Sequence, residues 1–385
     1  MKLLVWLTVT IAGASLAAST ASAVPITQPQ LNVQVIASGL DIPWDLAFLP
    51  DGSMLYTQRT SKTLSLRLPT GETRVIFSNR AGMWASGETG LMSVELAADF
   101  ATTREFMTCH GFLSGTTHDV RVVRWRLNEA HTAATYVRTL LRGLPSTSGR
   151  HGGCALVKGS SNVLYVGTGD AAQGTNPQSL TSGGGKVLRI NATTGLARSD
   201  NPFHTSTNYI KKRIWTYGHR NVQGLARRAG GTTWSIEQGS YRDDEVNLLK
   251  SGGNYGWKPT PRTAGDPAYN ESRPMTDFAI PGVQIGAKWR SGDPTFATSG
   301  GTFVYGSAWG DENGALAVAA LKDSSLRFLT FDANGTFVRS WKPAELNGTH
   351  GRLRAAVQGL DGSLYLTTSN GGNTDEILKV TPVTG

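Results

Sequence analysis

An apolar run, a tight turn and a second apolar run recur six times along this chain, and that recurrence limits the fold more than any single motif does. The copies begin at Trp44, Leu91, Cys154, Gln223, Gly301 and Ala355. The first reads Trp44 to Thr57 with Asp51-Gly52 at its turn, and the last reads Ala355 to Leu366 with Asp361-Gly362. Asp-Gly between two apolar runs is a hairpin signal, because glycine supplies the positive φ that a two-residue turn needs. Further apolar runs, such as Val187-Leu188-Arg189-Ile190 and Leu326-Arg327-Phe328-Leu329, follow most copies and extend each hairpin toward a four-stranded sheet. The spacing exceeds that of compact propeller repeats, so the surplus is assigned to loops, chiefly 171–185 and 258–300. Six such sheets set radially predict an all-β fold, a six-bladed β-propeller in one domain. A pair of β-sandwiches is the alternative, and the number of similar hairpins argues against it. Helix is expected nowhere, save at most a short one over Ala130 to Val137.

The ends and the charge bound the setting. Met1-Lys2 followed by an apolar run and Ala21-Ser22-Ala23 has the form of a secretory signal, so residues 1–23 are read as a signal peptide and 24–385 as the mature domain. The run is short and broken by Thr, Gly and Ser, which argues against a membrane anchor. Localisation is therefore expected to be secreted or periplasmic. The net charge of +9 comes from scattered Lys and Arg with no long basic stripe, so nucleic acid is discounted as a partner. An anionic cofactor or wall polymer fits such a charge as well. Cys109 and Cys154 are the two cysteines; an isolated pair in an exported chain favours a disulfide over a metal site. Asn191, Asn270, Asn334 and Asn347 open glycosylation sequons.

Near the middle, Tyr217-Gly218-His219-Arg220-Asn221-Val222-Gln223-Gly224-Leu225 packs a cation and two side-chain amides between two glycines. Taken alone it is a polar loop between strands. With it stand PWDLAFLPDG (43–52), GETGLMSVEL (87–96), His151-Gly152-Gly153-Cys154-Ala155, VLYVGTGD (163–170), GGKVLRIN (184–191), EQGSYRDDEVNLL (237–249), NYGW (254–257), Ala319-Ala320-Leu321-Lys322 and Arg352-Leu353-Arg354. In this order, from about Leu40 to Pro382, the set resembles the glucose/sorbosone dehydrogenase family, soluble sugar dehydrogenases that use pyrroloquinoline quinone (PQQ). Two residues depart from the family pattern H-x-G-G-R: its second Gly is Cys154 and its Arg is Ala155.

The resemblance implies a site. His151 is the expected general base, since imidazole can take a hydroxyl proton near neutral pH. Arg220, Lys322, Arg352 and Arg354 are the expected cations for a cofactor with three carboxylates, with Arg220 also facing negative charge developed on the reduced quinone. Arg352 and Arg354 alternate along a strand, and share one face, either solvated or turned into the channel. Glu88 and Asn221 complete the cofactor contacts. The carbonyls of Gly239 and Ser240 match the family's ligands for the cofactor-bound Ca²⁺, with Asp243, Asp244 and Glu245 adding oxygens nearby. Glu245 and the Tyr255 carbonyl resemble a second, structural Ca²⁺ site. The bland reading of this stretch is an acidic turn before a strand.

The implied activity is oxidation of a sugar C1 hydroxyl to the lactone, with electrons passed to an external acceptor. No GxGxxG fingerprint follows a βαβ unit, which argues against a nicotinamide cofactor. Two rivals use the same fold: a Ca²⁺-dependent, lactonase-like hydrolase, which needs carboxylates lining the channel, and a non-catalytic carbohydrate- or protein-binding propeller, which favours an aromatic-lined opening.

Overall fold

The computed structural model describes Met1, Leu3 and residues 28–383; the rest of the expected signal region lies outside the described residues. Six antiparallel sheets form, five from consecutive stretches of chain and the sixth from the last three strands joined by the first. Their innermost strands are Pro43–Phe48, Leu91–Leu96, Cys154–Lys158, Val222–Arg227, Thr298–Phe303 and Leu353–Gln358. Each packs against the next, and the last returns to the first, so the sheets are the blades of a six-bladed β-propeller around a central axis. We number the blades 1 to 6 in that order.

The core lies between blades. Six clusters of buried apolar side chains each join two neighbouring blades, and the sixth joins blade 6 to blade 1. Alternation along a strand produces this. In Met54–Gln58, Leu55 faces blade 2 while Met54 and Tyr56 face blade 6. In Leu316–Ala320, Leu316 and Val318 face blade 4 while Ala317 and Ala319 face blade 6. Successive side chains point to opposite faces. Because both faces are covered, such strands read as continuous apolar runs with no polar alternation.

Closure comes from a strand the hairpin pattern did not mark. Leu31–Leu40 is the outermost strand of blade 6 and pairs antiparallel with Asp375–Pro382. Its end residues Leu31 and Leu40 are buried, but Asn32, Gln34, Ser38 and Gly39 break up the apolar residues between them, which hides it from a search for long apolar runs. The Ala130–Val137 stretch is not helical: Ala134–Leu144 is the outer strand of blade 2, paired with Thr117–Leu127. Among the described residues the one α-helix is the single turn Phe100–Thr103. None of their helices is long and apolar enough to cross a membrane.

The surplus length sits in blades 3 and 4. Excursions run over 169–185, 192–210 and 249–288. The predicted loop 258–300 is thus interrupted by Trp289–Arg290, the outer strand of blade 4, and ends inside the first strand of blade 5.

Candidate active site

The Gly218-to-Leu225 stretch runs from the outer strand of blade 3 into the inner strand of blade 4. Gly218 takes φ +78°, and a Cβ there would collide with the Asn254 side chain. Glycine is the residue that tolerates both demands. His219, next in line, is an internal prop. It is fully buried, its Nδ1 bonds Glu237 Oε1 (2.9 Å), its Nε2 meets Thr216 Oγ1 (2.8 Å), and its ring stacks on Tyr255. The other oxygen of Glu237 accepts the Arg220 backbone N–H (3.0 Å). Glu237 therefore sets the turn that aims Arg220.

His151 lies on the approach to blade 3 with φ +50°, a left-handed conformation uncommon for a residue with a Cβ and found where surrounding structure enforces it. Its Nδ1 donates to Asp170 Oδ1 (2.8 Å). Asp170 is wholly buried and accepts four donors: His151 Nδ1, Ala172 N (2.8 Å), Trp257 Nε1 (2.8 Å) and Tyr269 OH (2.5 Å). With Nδ1 committed to the carboxylate, Nε2 is the free acceptor of the imidazole. Burial and the Asp170 charge push the Tyr269 phenol far above its ordinary pKa, so it stays a donor. Asp170 N in turn donates to Arg220 O (2.8 Å), which ties the His151 pair to the Arg220 turn.

Arg220 is nearly buried. It makes a forked pair with Glu271 (3.0 to 3.2 Å), donates to Gln238 O (3.1 Å) and lies over the Trp257 ring. Burial opposes its charge, but Tyr269, Glu271 and Asp170 outweigh that and hold its pKa above the usual value. Glu271 also takes the Arg150 guanidinium.

A cavity of about 270 Å³ is lined by Arg59, Glu88, Gln223, Gln238, Arg352 and Arg354, among others; His151, Arg220 and Asn221 do not line it, and Arg220 and Asn221 reach it through their hydrogen bonds to Gln238 and Glu88. Gln223 and Arg354 also line a cavity of about 240 Å³ among the inner strands, so the first pocket sits at one end of the propeller axis. Arg352 and Arg354 both face it, as alternation allows. Arg354 is buried over the Trp44 ring (3.9 Å) and donates to Gln223 Oε1 (2.9 Å). Burial first, then Arg59 and Arg352, push its pKa down to about 9. Burial lowers Arg59 too. Three guanidinia with one lining carboxylate, Glu88, make a site that an anion relieves. Glu88 Oε2 accepts Asn221 Nδ2 (3.0 Å) and Gln223 Nε2 (3.4 Å). Arg354 Nε is buried without a hydrogen-bond partner among the described residues. A buried donor so placed calls for a ligand or water, and with the three guanidinia it fits a small polyanion such as PQQ.

The metal expectations divide. No donor among the described residues reaches the carbonyl oxygens of Gly239 and Ser240, which follow pocket-lining Gln238 directly; two free carbonyls suit a hard cation. Asp244 is not free beside them: its carboxylate holds the turn through Gly239 N (2.9 Å) and Phe296 N (2.6 Å). Asp243 pairs with Arg242. Glu245 is buried, accepts Thr276 Oγ1 (2.9 Å) and has Arg290 Nε at 3.5 Å. Burial and the neighbouring Glu237 raise its pKa. The Tyr255 carbonyl receives no donor among the described residues. No group of three His, Cys, Asp or Glu side chains among them has metal-binding geometry.

Lys322 departs from the expected group. It is exposed and does not line the pocket, although its neighbour Leu321 does. Cys109 and Cys154 form a disulfide with Cα atoms 6.2 Å apart, which fastens the start of blade 3, three residues past His151, to blade 2.

Several residues of the site are given no role by the sequence reading. Asp170, Trp257 and Gln238 stand within the VLYVGTGD, NYGW and EQGSYRDDEVNLL motifs. Arg59, Tyr269 and Glu271 carry no local signal, since a turn and a long loop bring them in.

Comparison with known proteins identifies the family and agrees with the fold. The family model described as Glucose / Sorbosone dehydrogenase matches residues 40–379. The aldose sugar dehydrogenase YliI of Escherichia coli (strain K12) is 30% identical over 362 residues, covering 91% of this chain and 93% of that protein. Quinoprotein glucose dehydrogenase B of Acinetobacter calcoaceticus is 30% identical over 306 residues, 69% of this chain and 63% of that one. The PQQ-bound form of the aldose sugar dehydrogenase of Streptomyces coelicolor superposes with a TM-score of 0.74 at 27% identity, covering 92% of this chain and 99% of that one. With the six blades and the cationic pocket, these matches establish that the chain belongs to the glucose/sorbosone dehydrogenase family.

Proposed function

We propose that residues 24–385 form a PQQ- and Ca²⁺-dependent sugar dehydrogenase, exported by a signal over 1–23. It oxidises the C1 hydroxyl of an aldose to the lactone and passes the electrons to an external acceptor. The observation that carries this reading is the pocket where Arg59, Arg352 and Arg354 converge, joined to the His151–Asp170 pair through Gln238 and Arg220. PQQ, when bound, supplies the two-electron acceptor that the side chains lack.

Arg352, Arg354 and Arg59 hold cofactor carboxylates, and Asn221 and Glu88 set its orientation through their shared hydrogen bond. Lys322 belongs to this group only if its exposed side chain folds over the mouth. Arg220 stabilises negative charge at the quinone end. The Gly239 and Ser240 carbonyls hold the catalytic Ca²⁺, and Glu245 with the Tyr255 carbonyl is the second, structural position. His151 Nε2 takes the proton of the sugar hydroxyl while Asp170 holds Nδ1–H and stabilises the charged ring. An alcohol gives up a hydride far more readily when its proton leaves with it, so the base and the acceptor must face the same carbon.

The rivals find less support. A lactonase-like site needs several lining carboxylates, and this pocket has Glu88 alone; a sugar-binding mouth wants aromatic walls, and this lining contains none. The deciding experiment is dye-linked sugar oxidation by the purified protein. Activity is expected only after PQQ and Ca²⁺ are added together. No uptake of PQQ in the presence of Ca²⁺ rejects the dehydrogenase reading and favours a binding propeller.

A further inference from the structure

The 249–288 excursion of blade 4 reaches across to the His151–Asp170 pair of blade 3. His151 Nδ1 and Ala172 N occupy Oδ1 of Asp170. Oδ2 is occupied from the excursion alone, by Trp257 Nε1 (2.8 Å) and Tyr269 OH (2.5 Å). The Tyr269 hydroxyl also stands 3.3 Å from His151 Nδ1. Both donors are themselves held. Trp257 is fully buried, its backbone N–H donates to Gly218 O (2.9 Å) and its backbone carbonyl accepts Gln178 Nε2 (2.9 Å). Tyr269 is fixed from the other side by Glu271, two residues on, whose carboxylate is gripped by Arg220 and Arg150.

We propose that Tyr269 and Trp257 are positioning residues for His151. By saturating Oδ2 they orient the Asp170 carboxylate toward Nδ1 and limit how strongly it draws the imidazole proton, leaving Nε2 ready to accept one. A carboxylate that shares its charge among several donors is a weaker base than one with a bare oxygen. The inference rests on the reading of His151 as the base. The charged and titratable groups around the imidazole are Asp170 and Tyr269 in contact, Arg150 over the Tyr269 ring, Arg220 and Glu271 behind Tyr269, and Lys186, whose charge is felt by Asp170.

The test uses the full chain as Tyr269→Phe and, separately, Trp257→Phe, with ¹⁵N-labelled histidine. Without cofactor, NMR follows the His151 imidazole titration; with PQQ and Ca²⁺, turnover is followed against pH. Removing one donor from Oδ2 is expected to move the imidazole titration up by roughly one pH unit. The acidic limb of turnover should move with it, so that kcat on that limb falls roughly tenfold while KM changes little. A lowered melting temperature with the imidazole titration unmoved in both variants makes the two residues scaffold only and overturns the proposal. A titration that moves while the turnover limb stays supports the positioning role and instead rejects His151 as the base.

Discussion

At the residue scale the proposed site separates groups that would act on substrate from groups that would hold the cofactor, and mutation should separate them too. His151→Ala leaves the guanidinia untouched, so PQQ titrated into the protein should bind as before while turnover falls by roughly 10² to 10⁴. Wild-type turnover in that variant would make His151 a loop residue. Arg354→Ala should do the reverse. Its guanidinium is held at a pKa of about 9 by burial among like charges, a cost that an anionic ligand offsets. Its loss should weaken PQQ binding roughly 10- to 100-fold, the worth of a hydrogen bond to a charged group. Arg59→Ala should act in the same direction, because Arg59 lines the same pocket; unchanged PQQ affinity would remove it from the cofactor group. His151, Arg220, Asn221 and the two blade 6 arginines were legible in the chain because each stands in a short motif. Arg59 was not, since one arginine after a strand looks like any other. Glu271 and Tyr269 were hidden for a related reason: they reach the site by tertiary folding of a long loop, and no spacing in the sequence encodes that contact.

At the scale of elements, the hairpins were legible because turn chemistry and apolar runs are local. What was not legible is how the ring shuts. Leu31–Leu40 shows no long apolar run because as an outermost strand it has one row of neighbours, with Leu31 and Leu40 buried and Val33, Ile36 and Ala37 partly so. Yet its pairing with Asp375–Pro382 joins the two ends of the chain in one sheet. Burial of two leucines at ~2 kcal/mol each, together with the strand's hydrogen bonds, makes this a latch. A chain beginning after Leu40 should melt well below the intact protein or fail to fold cooperatively; equal melting temperatures would show that the latch is dispensable. The disulfide is a second fastening. Denatured, unreduced protein should expose no free thiol to titration. Closing a loop of 45 residues stabilises by about 4 kcal/mol in the chain-entropy estimate. A Cys109→Ser, Cys154→Ser double variant should therefore melt lower, and should also lose turnover disproportionately if the bridge steadies the nearby His151 approach.

At the scale of the whole molecule, the ring makes local binding a global property. Each blade is buried on both faces by its neighbours, and the chain ends are paired, so no blade can open without exposing the cores on either side. A ligand that grips one turn thus stabilises all six blades. The Gly239–Ser240 turn is such a point. It joins Thr233–Glu237 to Glu245–Leu248 within blade 4, is held by Asp244 against the start of blade 5, and begins one residue after Gln238, which lines the pocket. A Ca²⁺ bound by its two carbonyls would link the turn to an anionic cofactor in the same pocket, and each ligand would then strengthen the other's binding by the same factor. Calcium at a hundredfold excess over its dissociation constant stabilises the fold by about 2.7 kcal/mol, a rise of roughly 3 to 4 °C in melting temperature for a domain of this size. Chelation with EGTA should reverse that rise and release PQQ in the same titration. If melting and PQQ retention both ignore EGTA, the carbonyls hold no calcium, and the three guanidinia must bind the cofactor unaided.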